Sequence, residues 1–399
     1  MIRQGDTETR RQGDKETGGQ GESILASPRS LSRITHHASR ITLPLLLVSL
    51  SPCLLVCRSS AQKPPNPFDV EAREYYGTPE SELAVRKGLE YLAQKQAANG
   101  HWDSGIYRDD AAVSGLCTLA FLSAGHQPGR GKYGDILNRA ADYLADSVQR
   151  NGLVGRGGSA GPPMYGHGFA TLCLAELYGM TKREDFRTKV EAAVNLIVTA
   201  QNSEGGWRYQ PGSTDADISV TAVQVLALRA AANAGIKVPA EPVKKAIAYI
   251  KRCANNMDGG FSYQVSQHGS GPARTGAAVT CLMISGEKSA PETQEGIRYL
   301  MEHPLETDEW QYRQHEFYAY YYCTQAFYQV GGDKWKQWFT GYTSPKSGKA
   351  QKGIRDRLVD RQASDGAWEE RSGVGREYAT AMAILVLQVP AGLLPIYQK

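Results

Sequence analysis

Cysteine is sparse and unpatterned in this chain. Cys53 and Cys57 fall in an N-terminal apolar run, and Cys117, Cys173, Cys253, Cys281 and Cys323 show no spacing that suggests a disulfide framework. Charge of one sign is missing too. The 45 Lys and Arg against 41 Asp and Glu leave no basic excess of the size a nucleic-acid partner needs. The longest apolar run, "ITLPLLLVSLSPCLLVC" (41–57), is short for a membrane span and is interrupted by Pro44 and Pro52. Metal and phosphate motifs are absent. "HEFYA" opens like a zinc-protease helix but has Ala319 where the second His must stand, and "GRGK" (129–132) runs into Tyr133 without the hydroxyl of a phosphate loop. No cofactor and no metal is expected.

What is present is a repeat. "QAANGHW" (Gln96 to Trp102), "QNSEGGW" (Gln201 to Trp207) and "QASDGAW" (Gln362 to Trp368) share one pattern, and "QRNGLV", "NNMDGGF" and "LETDEW" are weaker copies. Their last positions fall at 102, 154, 207, 261, 310 and 368, a period of roughly fifty residues that suits one supersecondary unit each. Before each turn lies a stripe such as Val190, Ala193, Val194, Ile197 and Gln201, which describes a helix with one dry face. After each turn lies a segment apolar nearly all round, such as "SVTAVQVLALRAA", which describes a helix buried on both sides. Six half-wet and six dry helices in alternation give an all-α fold, an α/α toroid of six hairpins in two concentric rings, over residues 80–399. The turn residues Gln96, Trp102, Gln201, Trp207, Gln362 and Trp368 read as structural: glycine leaves the outer helix, Trp packs over the turn and Gln bonds loop backbone.

The spacing Lys87-Gly88-x3-Leu92-x3-Gln96-x3-Gly100-x-Trp102 resembles the QW motif of squalene–hopene cyclases, and more loosely the repeat of protein prenyltransferase β subunits. "YGHGFATLCLAELYGM", "GGWRYQPGSTDADISVTAVQVLAL", "YYYCTQAFYQVGGDKWKQW" and the ending "LLPIYQ" resemble the single-toroid prenyltransferase/squalene-oxidase-repeat proteins of planctomycete-type bacteria. For that group the resemblance implies a fold and no reaction. The zinc-binding Asp-x-Cys of prenyltransferases has no counterpart in the dry helices, and the "GCGEQ" thioester of complement-type toroids is absent.

Residues 1–61 read as a polar leader followed by a secretory signal peptide cleaved after Ala61, with acylation of Cys57 (a lipoprotein) as the alternative. Residues 62–79 read as a Pro-rich linker. The expected destination is outside the cytoplasm, with membrane contact only through the signal peptide or a lipid anchor. In that setting four of the five remaining cysteines fall in dry helices, as buried free thiols.

All six dry helices start at one end of such a toroid, so their first residues converge on one mouth. Those are Asp109, Asp110, His167, Asp215, Asp217, Arg274, His315, Glu316, Arg376 and Glu377. Capping explains many of the acids as well as chemistry does. Tyr318, Tyr321 and neighbouring rings of the fifth dry helix, with Tyr165 and Tyr378, either line a greasy cavity or fill the centre. The expected ligand contacts are His167, Tyr165, Arg274, His315, Glu316, Tyr318, Tyr321 and Tyr378. The resemblance places Asp215 and Asp217 near the acidic Asp-x-Asp-Asp of the cyclases, whose middle Asp donates a proton. A gapless match of "TAVQVLAL" puts Ser219 and Val220 at its last two acids and leaves Asp217 as a helix cap, since a two-residue shift turns a helix by about 200°. The expected function is an exported toroid that binds a hydrophobic, isoprenoid-like small molecule or a protein partner without a cyclase acid. The alternatives are a terpene-cyclase-like isomerase or lyase using Asp217, and a carbohydrate-active toroid with carboxylates across its mouth.

Overall fold

The computed structural model describes residues 76–156, 161–305, 315–344 and 348–398. The leader, the signal segment and the "ETDEW" turn with Trp310 lie outside the described residues. Thirteen α-helices occur among the described residues, and every one belongs to the compact unit Lys63–Lys399. Six hairpins account for them. The first is α1 (Pro79–Lys95) and α2 (Ala111–Ser123), and the second α3 (Gly134–Asp146) and α4 (Pro163–Thr181). The third is α5 (Glu184–Thr199) and α6 (Ile218–Asn233), and the fourth α7 (Ala240–Arg252) and α8 (Pro272–Ile284). The fifth is α9 (Pro291–Glu302) and α10 (Glu316–Val330). In the sixth, the expected single outer helix is two: α11 (Gly332–Thr340) and α12 (Ile354–Asp360), parted by a small antiparallel hairpin of Gly341–Thr343 with Ala350–Lys352, before α13 (Arg376–Gln388).

The dry helices form the inner ring. Helix α2 packs on α4, α4 on α6, α6 on α8, α8 on α10, α10 on α13, and α13 back on α2. The all-α toroid expected from the sequence is the observed fold. Small residues set the closest approach. A Cβ at Gly276 of α8 would lie 2.5 Å from the Cys323 sulfur and 2.9 Å from its backbone nitrogen on α10. The five described cysteines are free and buried.

The repeated turn joins one hairpin to the next. Trp102, Trp207 and Trp368 are fully buried, and each ring N–H donates to the carbonyl ten residues back, Leu92, Ile197 and Leu358, at 2.7–2.8 Å. The amide of Gln96 bridges its own turn at the Gly100 carbonyl and the next outer helix at Ile136. Gln201 does the same between Gly205 and Pro242, and Gln362 between Gly366 and Ala84 of α1, which closes the ring. Gly100, Gly205 and Gly366 have positive φ, and a Cβ on each would strike a carbonyl of the next outer helix (Arg139, Lys245 and Lys87), so glycine is required twice over.

One end of the inner ring is shut. After α13 the chain crosses its far end, burying Leu394, Ile396 and Tyr397. The Ile396 amide donates to the Glu176 carboxylate of α4 at 3.1 Å, and Tyr321 packs edge-on against Tyr397. The centre of the ring is therefore filled at depth by Tyr321 and Tyr322, both buried, and open at the mouth.

Candidate functional site: a tyrosine-lined cup

The opening at the inner-helix starts is a cavity of about 600 Å³, within the range usual for small-molecule sites. Each of the six hairpins contributes one tyrosine to its wall: Tyr107, Tyr165, Tyr209, Tyr263, Tyr318 and Tyr378. Three occupy the third position of an inner helix: Tyr165 on α4, Tyr318 on α10 and Tyr378 on α13. The other three lie in the turns that lead into α2, α6 and α8. Phe169 joins them deeper in, 6.4 Å from the ring of Tyr321. Burial pushes the phenols of Tyr107, Tyr165, Tyr263, Tyr318 and Tyr378 up, so the wall consists of neutral hydroxyls and ring faces at ordinary pH.

The turns fix these rings through the backbone. The Tyr209 carbonyl accepts the Met164 amide at the start of α4, and the Tyr263 carbonyl accepts the Ile218 amide at the start of α6. Ser104 Oγ accepts the Tyr378 amide at the start of α13. Each turn thus supplies a missing partner to the inner helix of the hairpin behind it.

Of the expected ligand contacts, Tyr165, Arg274, His315, Glu316, Tyr318 and Tyr378 line the cup. His167 and Tyr321 do not; Tyr321 sits beneath the floor. His167 is fully buried, and its Nδ1 accepts the Val154 amide at 3.0 Å. In four other hairpins the same bond runs from the turn amide to a hydroxyl, Ser114, Thr221, Thr275 or Thr380. His167 therefore fills the place of a serine or threonine in the turn frame, and burial lowers its pKa to about 4, which keeps it neutral. This corrects its expected place at a ligand.

The acids are engaged as well. Asp217 is fully buried outside the cup wall as the N-cap of α6: Oδ1 accepts the Ser219 and Val220 amides at 2.9 Å, and Oδ2 pairs with Arg208 at 3.1 Å. Burial raises its pKa, and the Val220 amide, Arg208, the Tyr263 hydroxyl and the Ser219 amide oppose that rise. Asp215 pairs with the same guanidinium at 3.1 Å from the exposed side. Neither expected catalytic aspartate faces the cup: Asp217, immediately before α6, is drawn to the unpaired amides of that helix, and Asp215 to Arg208. Glu316 lines the cup, but Arg361, the residue that ends α12, grips it with bonds of 2.6 and 3.1 Å. Asp110 also lines the wall while capping α2 through the Ala112 and Val113 amides. Among the described residues no cluster of His, Cys, Asp and Glu has the form of a metal site.

Sequence reasoning passed over Tyr107, Tyr209, Tyr263 and Arg208. A tyrosine two residues after Trp207 and Phe261 was the available signal. It also passed over Glu176, the single acid in an apolar helix, which burial raises to a pKa of about 8.

The family profile described as the squalene-hopene cyclase C-terminal domain matches residues 170–331. Over that part of the chain the α/α toroid is similar to the squalene-hopene cyclase domain. Similar solved structures of the toroid include the type II terpene cyclase MstE from Scytonema, at 13% identity, TM-score 0.53, and coverage of 79% of this chain and 98% of that one. The α-1,6-mannanase of Salegentibacter sp. with α-1,6-mannotriose is similar at 10% identity and TM-score 0.57, covering 79% and 99%. An unsaturated glucuronyl hydrolase specific for heparin is similar at 12% identity and TM-score 0.55, covering 79% and 98%. At such identities the toroid shares a fold with these enzymes. A comparison with curated protein sequences gives no match.

Proposed function

We propose that the toroid binds a largely apolar, isoprenoid-like small molecule in its tyrosine cup and does not protonate it as a class II cyclase would. The observation that carries this reading is the wall itself: six tyrosines and Phe169 around about 600 Å³, with Asp217 engaged by two amides and Arg208. Aromatic faces and a mostly apolar lining suit a greasy ligand. A protein partner at the same mouth is the other occupant compatible with it.

Native mass spectrometry of the purified protein, with extraction of any bound lipid, tests the reading. Gly166 lines the cup, and a Cβ there would meet nothing nearer than the Ala112 nitrogen at 4.0 Å. Gly166→Leu is expected to fill the cup and expel the ligand while the fold is kept. A ligand equally retained in Gly166→Leu argues against the cup as its site.

A carbohydrate reading rests on the acids Asp110 and Glu316 in the same wall, since glycosidases work with two carboxylates. Retention of an oligosaccharide in place of a lipid favours it. Export is part of the proposal and rests on residues 41–61. A mature N-terminus at Gln62 supports it, an acylated Cys57 supports the lipoprotein form, and an uncleaved cytoplasmic chain overturns both.

A further inference from the structure

The cup is not equally deep on all sides. On α2 its lining runs down to Leu116, the sixth residue of that helix, and on α4 to Phe169, the seventh. On α6, α8, α10 and α13 it stops at Ser219, Arg274, Ala319 and Tyr378, none beyond the fourth residue. A rise of about 1.5 Å per residue puts Phe169 about 9 Å below the start of α4. The cup therefore ends in a slot against the α2 and α4 wall, lined by Val113, Leu116, Gly166 and Phe169. Its back is closed, since a Cβ at Gly115 of α2 would lie 3.2 Å from the Phe169 carbonyl. Its floor is the Phe169 ring, which meets Tyr321 edge-on, and Tyr321 meets Tyr397 in the same way.

Charge sits on the opposite side. The order of packing in the inner ring sets α2 and α4 across from α8 and α10. Among the described residues of the wall, three of the four acids and bases, Arg274, His315 and Glu316, belong to α8 and α10 or precede them directly. The fourth, Asp110, turns Oδ1 to two amides of α2. Between the two sides, towards α6, the wall is aromatic and shallow. Tyr209 and Tyr263 stand there with their hydroxyls 2.6 Å apart, and Arg208 lies 4.4 and 5.3 Å from their ring centres.

We infer that the cup holds an amphiphile in one orientation, its apolar end in the slot against α2 and α4 and its polar end towards α8 and α10, and that Phe169 sets how long the apolar end can be. The inference rests on the reading of the cup as a site for an apolar ligand and adds a direction and a limit of length. Each further carbon gains by burial only while the slot has depth left. The Phe169 ring has no room to yield, because Tyr321 and Tyr397 are packed beneath it.

The test uses the full-length protein and prenyl alcohols of one to four isoprene units, with affinities from native mass spectrometry. Affinity is expected to rise about tenfold or more with each unit that enters the slot, and to level off once the chain meets Phe169. Phe169→Ala should extend the rise, so that the first chain past the wild-type limit gains about tenfold. Phe169→Leu keeps more of the packing and should extend it less, and thermal melting shows that the variants are folded. A photoreactive diazirine at the apolar end is expected to label residues 111–123 or 163–181, and one beside the hydroxyl residues 272–284 or 315–330. An affinity that climbs through all four lengths, a limit that neither variant moves, or the reverse labelling pattern overturns this inference and leaves the apolar cup standing. No binding of any probe overturns the reading of the cup and this inference with it.

Discussion

Arg208 and Asp217 hold one another at 3.1 Å on the boundary between the turn and α6, with the carboxylate fully buried and the guanidinium about one-fifth exposed. The pair ties a helix cap to the aromatic wall of the cup, so one substitution touches both. Asp217→Asn keeps an oxygen for the Ser219 and Val220 amides and loses the charge. We expect a loss of about 1–3 kcal/mol, less than for a fully buried pair because Arg208 keeps Asp215. Asp217→Ala should cost about 1 kcal/mol more by removing the cap. Chemical denaturation measures both, and an Asn variant as stable as wild type would show that the ion pair contributes nothing.

The staple turns make a second expectation. Trp207→Phe leaves the Ile197 carbonyl unpaired in a dry interior and should cost about 1–3 kcal/mol. Trp207→Ala adds a cavity and should cost about 3–5 kcal/mol. If both cost the same, the indole N–H bond is not what holds the turn.

Packing between inner helices sets a third. Gly276→Ala puts a methyl into the Cys323 backbone and should destabilise by about 1–3 kcal/mol, although alanine is the better helix former. A stabilised Gly276→Ala would mean that α8 and α10 can separate at no cost.

Glu176 and His167 give stability a pH dependence of opposite sign. Folding raises the Glu176 pKa from 4.5 to about 8, so the folded chain keeps a proton that the unfolded chain has lost between those values. Its contribution is full below pH 4.5 and falls as pH rises to about 8. Folding lowers the His167 pKa from 6.5 to about 4, so its contribution is full above pH 6.5 and falls as pH drops toward 4. Glu176→Gln should flatten the alkaline side of a stability–pH profile, and His167→Thr the acid side. A slope unchanged in either variant assigns it to other groups.

The residues that made the fold legible are those whose chemistry has one use. Gly100, Gly205 and Gly366 can be nothing else where φ is positive and a carbonyl presses close, and the three tryptophans recur because each must reach a carbonyl ten residues back. The break between α11 and α12 was not legible, since the pattern fixes where a turn falls and says little about an insertion within a helix. The cup was half legible. Helical periodicity exposes Tyr165, Tyr318 and Tyr378, whereas Tyr107, Tyr209 and Tyr263 come from turns, where no period applies. His167 was misplaced because a histidine suggests chemistry, while the turn amide needs only an acceptor, which an imidazole supplies as readily as a hydroxyl.

The Tyr91 hydroxyl of α1 donates to Glu377 of α13 at 2.8 Å, across 286 residues of chain. The Gln362 bridge to Ala84 repeats at that seam the bond that joins every other stapled pair. The ring therefore has no structural beginning. A chain cut in any staple turn, with residues 76 and 398 bridged by a linker, should assemble the same circle, and only the order in which hairpins leave the ribosome would differ.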